Sequence, residues 1–311
     1  ASDGSTALHY ASYLVDHELV QALLDAGATA DITNDYGSSP LIEAVKLNDL
    51  ELASMLLAAG ADPDSPNQDN QTALMIASYN GSVELAQMLI DKGAAVNAVE
   101  NFRKQTALMW AAAENHPELV KLLIKNKADV TLRAAFDDWP RQMTSEPRAQ
   151  YRATGGLTAL LYATASGCYE CAVSIVAAGA DVNQSNPDGI TPLISALDNQ
   201  RFDIAMYLID KGANVHVWDM YGRTALYMAI DMNSFSPTGF GGPGSFSDQF
   251  AAVTAMQQNV SALDVARRLI AMGVDVNHQL TRMRPNGPGR GRFEDYDMRG
   301  GTAPLMTAVL G

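Results

Sequence analysis

The chain has 311 residues, with 21 Lys and Arg against 35 Asp and Glu and a formal net charge of −14. That balance opposes binding of nucleic acid or anionic membrane by the molecule as a whole. No apolar run of membrane-spanning length and no signal-peptide pattern occur, and two cysteines are too few for a disulfide framework. A start at Ala1 without an initiator Met fits a processed exported protein or a trimmed chain.

The phrase Thr-(Ala/Pro)-Leu recurs at Thr6, Ser39 (as Ser-Pro-Leu), Thr72, Thr106, Thr158, Thr191 and Thr224, at intervals of 33, 33, 34, 52, 33 and 33. A second phrase keeps the same beat: Gly-Ala at Gly27, Gly60, Gly93, Gly179 and Gly212, Lys-Ala at Lys127 and Gly-Val at Gly273. Two independent phrases on one period mean a stacked repeat, in which each unit buries its apolar face against the next. A single elongated array leaves no room for a separate catalytic domain. Function becomes a question of surfaces.

The units run near 3–34, 35–67, 68–100, 101–134, 155–186, 187–219 and 220–280, with a partial one at 300–311. The third is representative. Thr72 suits a helix N-cap, and its equivalents Ser39 and Thr191 are followed by Pro, a favoured first helical residue. Gly81 breaks the unit into two helices; Leu85, Met88 and Leu89 give the second an apolar stripe, and Gly93 closes it. Ala11, Ala44, Ala77, Ala111, Ala163, Ala196 and Ala229 share one place in the first helix, where a small side chain lets helices approach.

These phrases resemble the ankyrin repeat: Thr6-Ala7-Leu8-His9 is close to its Thr-Pro-Leu-His opening, and residues 179 to 183 carry its Gly-Ala-Asp-Val-Asn close. The resemblance covers the chain outside three inserts, near 135–153, 233–260 and 281–299. It implies one all-α domain, an α-solenoid of about seven and a half repeats with β-hairpin finger loops, and a non-catalytic role in binding macromolecules. The wording of residues 107 to 116 and the inserts look like exported bacterial ankyrin proteins, so a periplasmic or secreted location is expected. Lys127 stands where the family has Gly; a left-handed turn there costs about 1 kcal/mol, or else the turn is remodelled. The chain stops at Gly311 within an eighth unit, so further residues or a partner are expected to cover an open apolar end.

By the same resemblance, the first helices line a concave groove. The position two after the opening Leu reads Tyr10, Glu43, Ile76, Trp110, Tyr162, Ser195 and Met228. Three residues on, on the same helical face, stand Tyr13, Lys46, Tyr79, Ala113, Ala165, Asp198 and Asp231. An aromatic stretch through the first five units is thus expected to pass into an acidic one at Asp198 and Asp231. The aromatics either pack over neighbouring helices or serve a protein partner, with Trp110 and Tyr162 as anchors.

The first insert carries Trp139 among balanced charges. The second puts Phe235, Phe240, Phe246 and Phe250 in a Gly/Ser/Pro context between the two helices of the seventh unit. The third has five Arg, including Arg282, Arg284, Arg290 and Arg292, against three acids. The first and third extend finger loops from one edge and are expected to flank a macromolecular site. A phosphate-loop reading fails for want of the Lys-Ser/Thr pair and of a strand-to-helix setting. Cys168-Tyr169-Glu170-Cys171 opens the second helix of the fifth unit, where a helix N-terminus can lower a thiol pKa. Cys171, however, shares the core place of Leu19, Leu52, Leu85, Leu119, Ile204 and Val265. Structural cysteines or a local disulfide are expected. No metal spacing, cofactor motif or Ser/His/Asp set emerges. Two other readings stay open: a structural subunit docking through its open repeat end, and a small-molecule carrier or enzyme with an insert-roofed pocket.

Overall fold

The computed structural model describes residues 3–137, 155–219, 222–233 and 259–279. Fourteen helices occur among them, in seven sequence-adjacent pairs. The first four pairs are α1 (Ala7–Tyr13) with α2 (His17–Asp25), α3 (Pro40–Lys46) with α4 (Leu50–Ala58), α5 (Ala73–Asn80) with α6 (Val83–Asp91), and α7 (Ala107–Ala113) with α8 (Pro117–Lys125). The remainder are α9 (Ala159–Ser166) with α10 (Tyr169–Ala177), α11 (Pro192–Asp198) with α12 (Phe202–Asp210), and α13 (Ala225–Asn233) with α14 (Ala262–Ala271). The chain divides into two compact units, Ala1–Ala135 with Val173–Ala180, and Phe136–Ala172 with Asp181–Gly311.

The opening phrase is a helix cap. The hydroxyls of Thr6, Ser39, Thr72, Thr106, Thr158 and Thr191 each accept from the backbone N–H three residues on, satisfying a donor that has no intrahelical partner. Thr224 does the same for Tyr227 at 3.1 Å. His9 adds a reciprocal bond: Nδ1 accepts from the Thr6 N–H at 3.1 Å while Nε2 donates to the Ser38 carbonyl at 3.0 Å. The seven repeated alanines are all fully buried, which lets the backbones of successive first helices approach.

In the first unit, α1, α3, α5 and α7 lie side by side, as do α2, α4, α6 and α8. Leu52, Leu85 and Leu119 are fully buried there, whereas Leu19 on α2 is 44% exposed. Leu19 is therefore a correction to the repeat register: among the described residues α2 has a neighbouring second helix, α4, on one side only. Lys127 keeps the left-handed turn at φ 66°, and its carbonyl accepts from Asn97 Nδ2 at 3.0 Å.

In the second unit α11 packs against α9 and α13, and α13 packs on α14. The second insert thus falls between the two helices of one pair, and Asp203 meets the chain as it returns, accepting from the Val260 N–H at 3.0 Å. The first insert leaves and re-enters through an antiparallel bridge between Phe136 and Gly155. Among the described residues the finger loops carry no strand, only that bridge and one between Trp218 and Thr224. Side chains close the finger turns instead. Asn67 Oδ1 accepts from the N–H groups of Asp69 and Gln71, and Asn34 and Asn186 repeat the arrangement. Such Asx turns replace a ladder with local bonds.

Candidate partner-binding groove

In the first unit, the parallel run of α3, α5 and α7 leaves a cleft of about 400 Å³. Its apolar wall is Ile76, Tyr79, Trp110 and Ala113, and its polar residues are Lys46, Gln71, Gln105 and Glu114. Helical spacing explains the gathering: Ile76 and Tyr79 are one turn apart on α5, as are Trp110 and Ala113 on α7, so each pair shares a face. Ile76 is buried as the floor and Tyr79 is 54% exposed. The Tyr79 and Trp110 rings meet edge to face, 5.9 Å apart and 73° inclined, a favoured aromatic geometry. Trp110 is part-exposed, but its indole N–H is buried without an acceptor. The open part of the side chain is therefore ring carbon.

Neighbours fix this wall. His116 Nε2 donates to the Tyr79 carbonyl at 3.0 Å, and the His116 ring lies against Gly81, where a Cβ would come within 2.5 Å of it. Asn80 Nδ2 donates to the Val45 carbonyl at 3.0 Å, tying α5 to the end of α3. Lys46 Nζ lies 3.0 Å from Glu43 Oε1, and the Ser38 hydroxyl donates to the same oxygen. Glu114 is exposed and makes no ion pair among the described residues.

The remaining sequence candidates are dispersed. Tyr10 and Tyr13 stand exposed on α1 in the same register but do not line the cleft. Tyr162 is half-buried on α9, in the second unit. Of the two acidic residues expected there, Asp198 is exposed and Asp231 is buried. Asp198 pairs with Arg223 at 3.2 Å, Arg223 also holds Asp219 at 2.7 Å, and Asp231 is only 2% exposed. Burial opposes the Arg223 charge, but Asp198 and Asp219 outweigh it and raise its pKa. Trp139, Arg282, Arg284, Arg290 and Arg292 lie outside the described residues.

Gln71, Gln105 and Glu114 escaped the sequence reading. A signal was present: Gln71, Gln105 and Arg223 all immediately precede the cap residue, in the turn that enters the first helix. Cys168 and Cys171 form a disulfide and are buried; Cys171 takes the core place its register implied. No cluster of three or more His, Cys, Asp or Glu that could hold a metal occurs among the described residues, nor any helix long and apolar enough to cross a membrane.

Comparison with known proteins agrees with this architecture. The family described as "Ankyrin repeats (3 copies)" matches residues 1–67, 59–134 and 160–236. An ankyrin repeat domain from Acinetobacter baumannii AYE superposes with a TM-score of 0.57 at 27% identity, over 67% of this chain and 98% of that one. The ankyrin repeat domain of Bcl-3, of the IkappaB protein family, gives 0.58 at 24% identity over 73% and 94%; at that identity the likeness shows the fold alone. No curated protein sequence matches. The recurring caps, buried alanines and left-handed closing turns are thus those of a matched family, and the chain belongs to the ankyrin-repeat family.

Proposed function

We propose that this protein is a non-catalytic binding module that holds a protein partner in the cleft walled by Ile76, Tyr79 and Trp110. Ankyrin repeats are generally protein–protein interaction modules, and the observation that carries the reading here is the edge-to-face pair of exposed Tyr79 and part-exposed Trp110 in the wall of a cleft of about 400 Å³. Trp and Tyr are the residue types that dominate interface energy when they fill such places. Tyr10 and Tyr13 are proposed to extend this surface within the first unit, while Tyr162 and the finger inserts with Trp139 and the four arginines are proposed as separate partner contacts. The buried Cys168–Cys171 disulfide favours an oxidising compartment, in keeping with a periplasmic or secreted location.

The test is affinity for a partner recovered with the full-length chain from its native source. Tyr79→Ala and Trp110→Ala each weaken that binding by at least about 2 kcal/mol, the scale of an interface hot spot. Both lower the urea midpoint less than Leu122→Ala, a core truncation. If the two aromatic variants instead unfold as readily as Leu122→Ala and keep native affinity while folded, they serve packing and the groove loses its anchors.

A further inference from the structure

We infer that the cleft of the first unit receives an arginine or lysine side chain from a basic segment of the partner, a refinement that rests on the partner-binding reading above. Four observations support it. Tyr79 and Trp110 present rings inclined at 73°, and because the Trp110 N–H is buried the occupant meets ring carbon, negative over its faces, and not a hydrogen-bond donor. Such faces attract guanidinium and ammonium groups. Among the charges lining the cleft, Lys46 is already compensated by Glu43 at 3.0 Å, while Glu114 has no ion-pair partner among the described residues and leaves one negative charge uncompensated. The chain as a whole carries −14, so a basic segment is also drawn to it at long range. The aliphatic stem of Arg or Lys suits the apolar floor at Ile76, as long charged side chains lay their methylenes on apolar surface and keep the head polar. An acidic segment would bring its carboxylate beside Glu114, and a purely aliphatic one would leave Glu114 unused.

The probes are capped alanine pentapeptides with Arg, Lys, norleucine or Glu at the centre, titrated into the full chain. Binding is followed by the indole N–H resonance of Trp110, assigned with Trp110→Phe. The Arg and Lys peptides shift that resonance saturably and bind at least about threefold tighter than the norleucine peptide, with affinity falling as salt rises. Glu114→Gln, a conservative change at an exposed position, removes most of that preference and leaves the circular dichroism spectrum unchanged. A norleucine or Glu peptide that binds as well as the basic ones, or a preference untouched by Glu114→Gln, overturns the cation assignment while leaving the groove in place. If no peptide moves the Trp110 resonance and the partner's affinity is also indifferent to Tyr79→Ala and Trp110→Ala, both readings fall.

Discussion

Substituting Ala for Gly81 asks how far one inter-helix turn supports the groove wall. Gly81 closes α5 at φ 75°, and a Cβ there would lie 2.5, 2.6 and 2.9 Å from three atoms of the His116 ring. Relief requires the imidazole to swing aside, which breaks its 3.0 Å bond to the Tyr79 carbonyl. The left-handed conformation costs an Ala about 1 kcal/mol, and the lost hydrogen bond adds about 1 kcal/mol. A few tenths are returned because Ala restricts the unfolded chain. Gly81→Ala therefore loses close to 2 kcal/mol. Gly93 is the control: it sits at φ 98° with nothing within 4 Å of a would-be Cβ, so Gly93→Ala bears the conformational cost of about 1 kcal/mol less the same few tenths. Urea unfolding followed by far-ultraviolet circular dichroism measures both. A double-mutant cycle with His116→Ala isolates the clash, with a coupling of about 1 kcal/mol expected. Equal losses at the two glycines, or a Gly81→Ala loss unchanged in the His116→Ala background, would refute the reasoning.

Lys127→Gly is expected to raise stability by up to about 1 kcal/mol, since Lys127 already occupies φ 66° and Gly removes that strain; a lower urea midpoint counts against it. His17 Nε2 lies 2.8 Å from Asp49 and Nδ1 3.5 Å from Glu51, and the hydrogen bond to Asp49 raises the His17 pKa above its ordinary 6.5. Its stabilising contribution is accordingly complete below pH 6.5 and fades as pH rises through the raised folded-state value. For Asp49, burial pushes upward but the Leu52 N–H and His17 outweigh it, so its pKa falls below 3.8, and its share is lost only as pH drops through that lowered value. His17→Gln should flatten the stability profile on the neutral side, and an identical profile in the variant argues against the pair. Arg223→Ala removes the guanidinium 2.7 Å from Asp219, which is 2% exposed and keeps the backbone N–H of residue 223 at 3.0 Å; a loss of about 3 kcal/mol is expected, and a loss under about 1 kcal/mol would show that the remaining donors or water suffice for the carboxylate.

What the sequence determined by itself is whatever one helical turn or one repeat can encode. Spacing placed Thr72 and its equivalents at helix starts, Cys171 in the core, and Ile76 with Tyr79, and Trp110 with Ala113, on common faces, because helix geometry is local and the period carries it from unit to unit. Tertiary structure decided which faces stay open. Arg223 reaches Asp198 across 25 residues and His116 reaches the Tyr79 carbonyl across 37, and neither pairing follows from the spacing within a unit. Burial of Asp231 and exposure of Leu19 depend likewise on which neighbours pack against α13 and α2. Finger turns follow the same division: their positions are periodic, but closing them by the Asn67 side chain in place of strand pairing is settled by which acceptor lies nearest each N–H once the turn has formed.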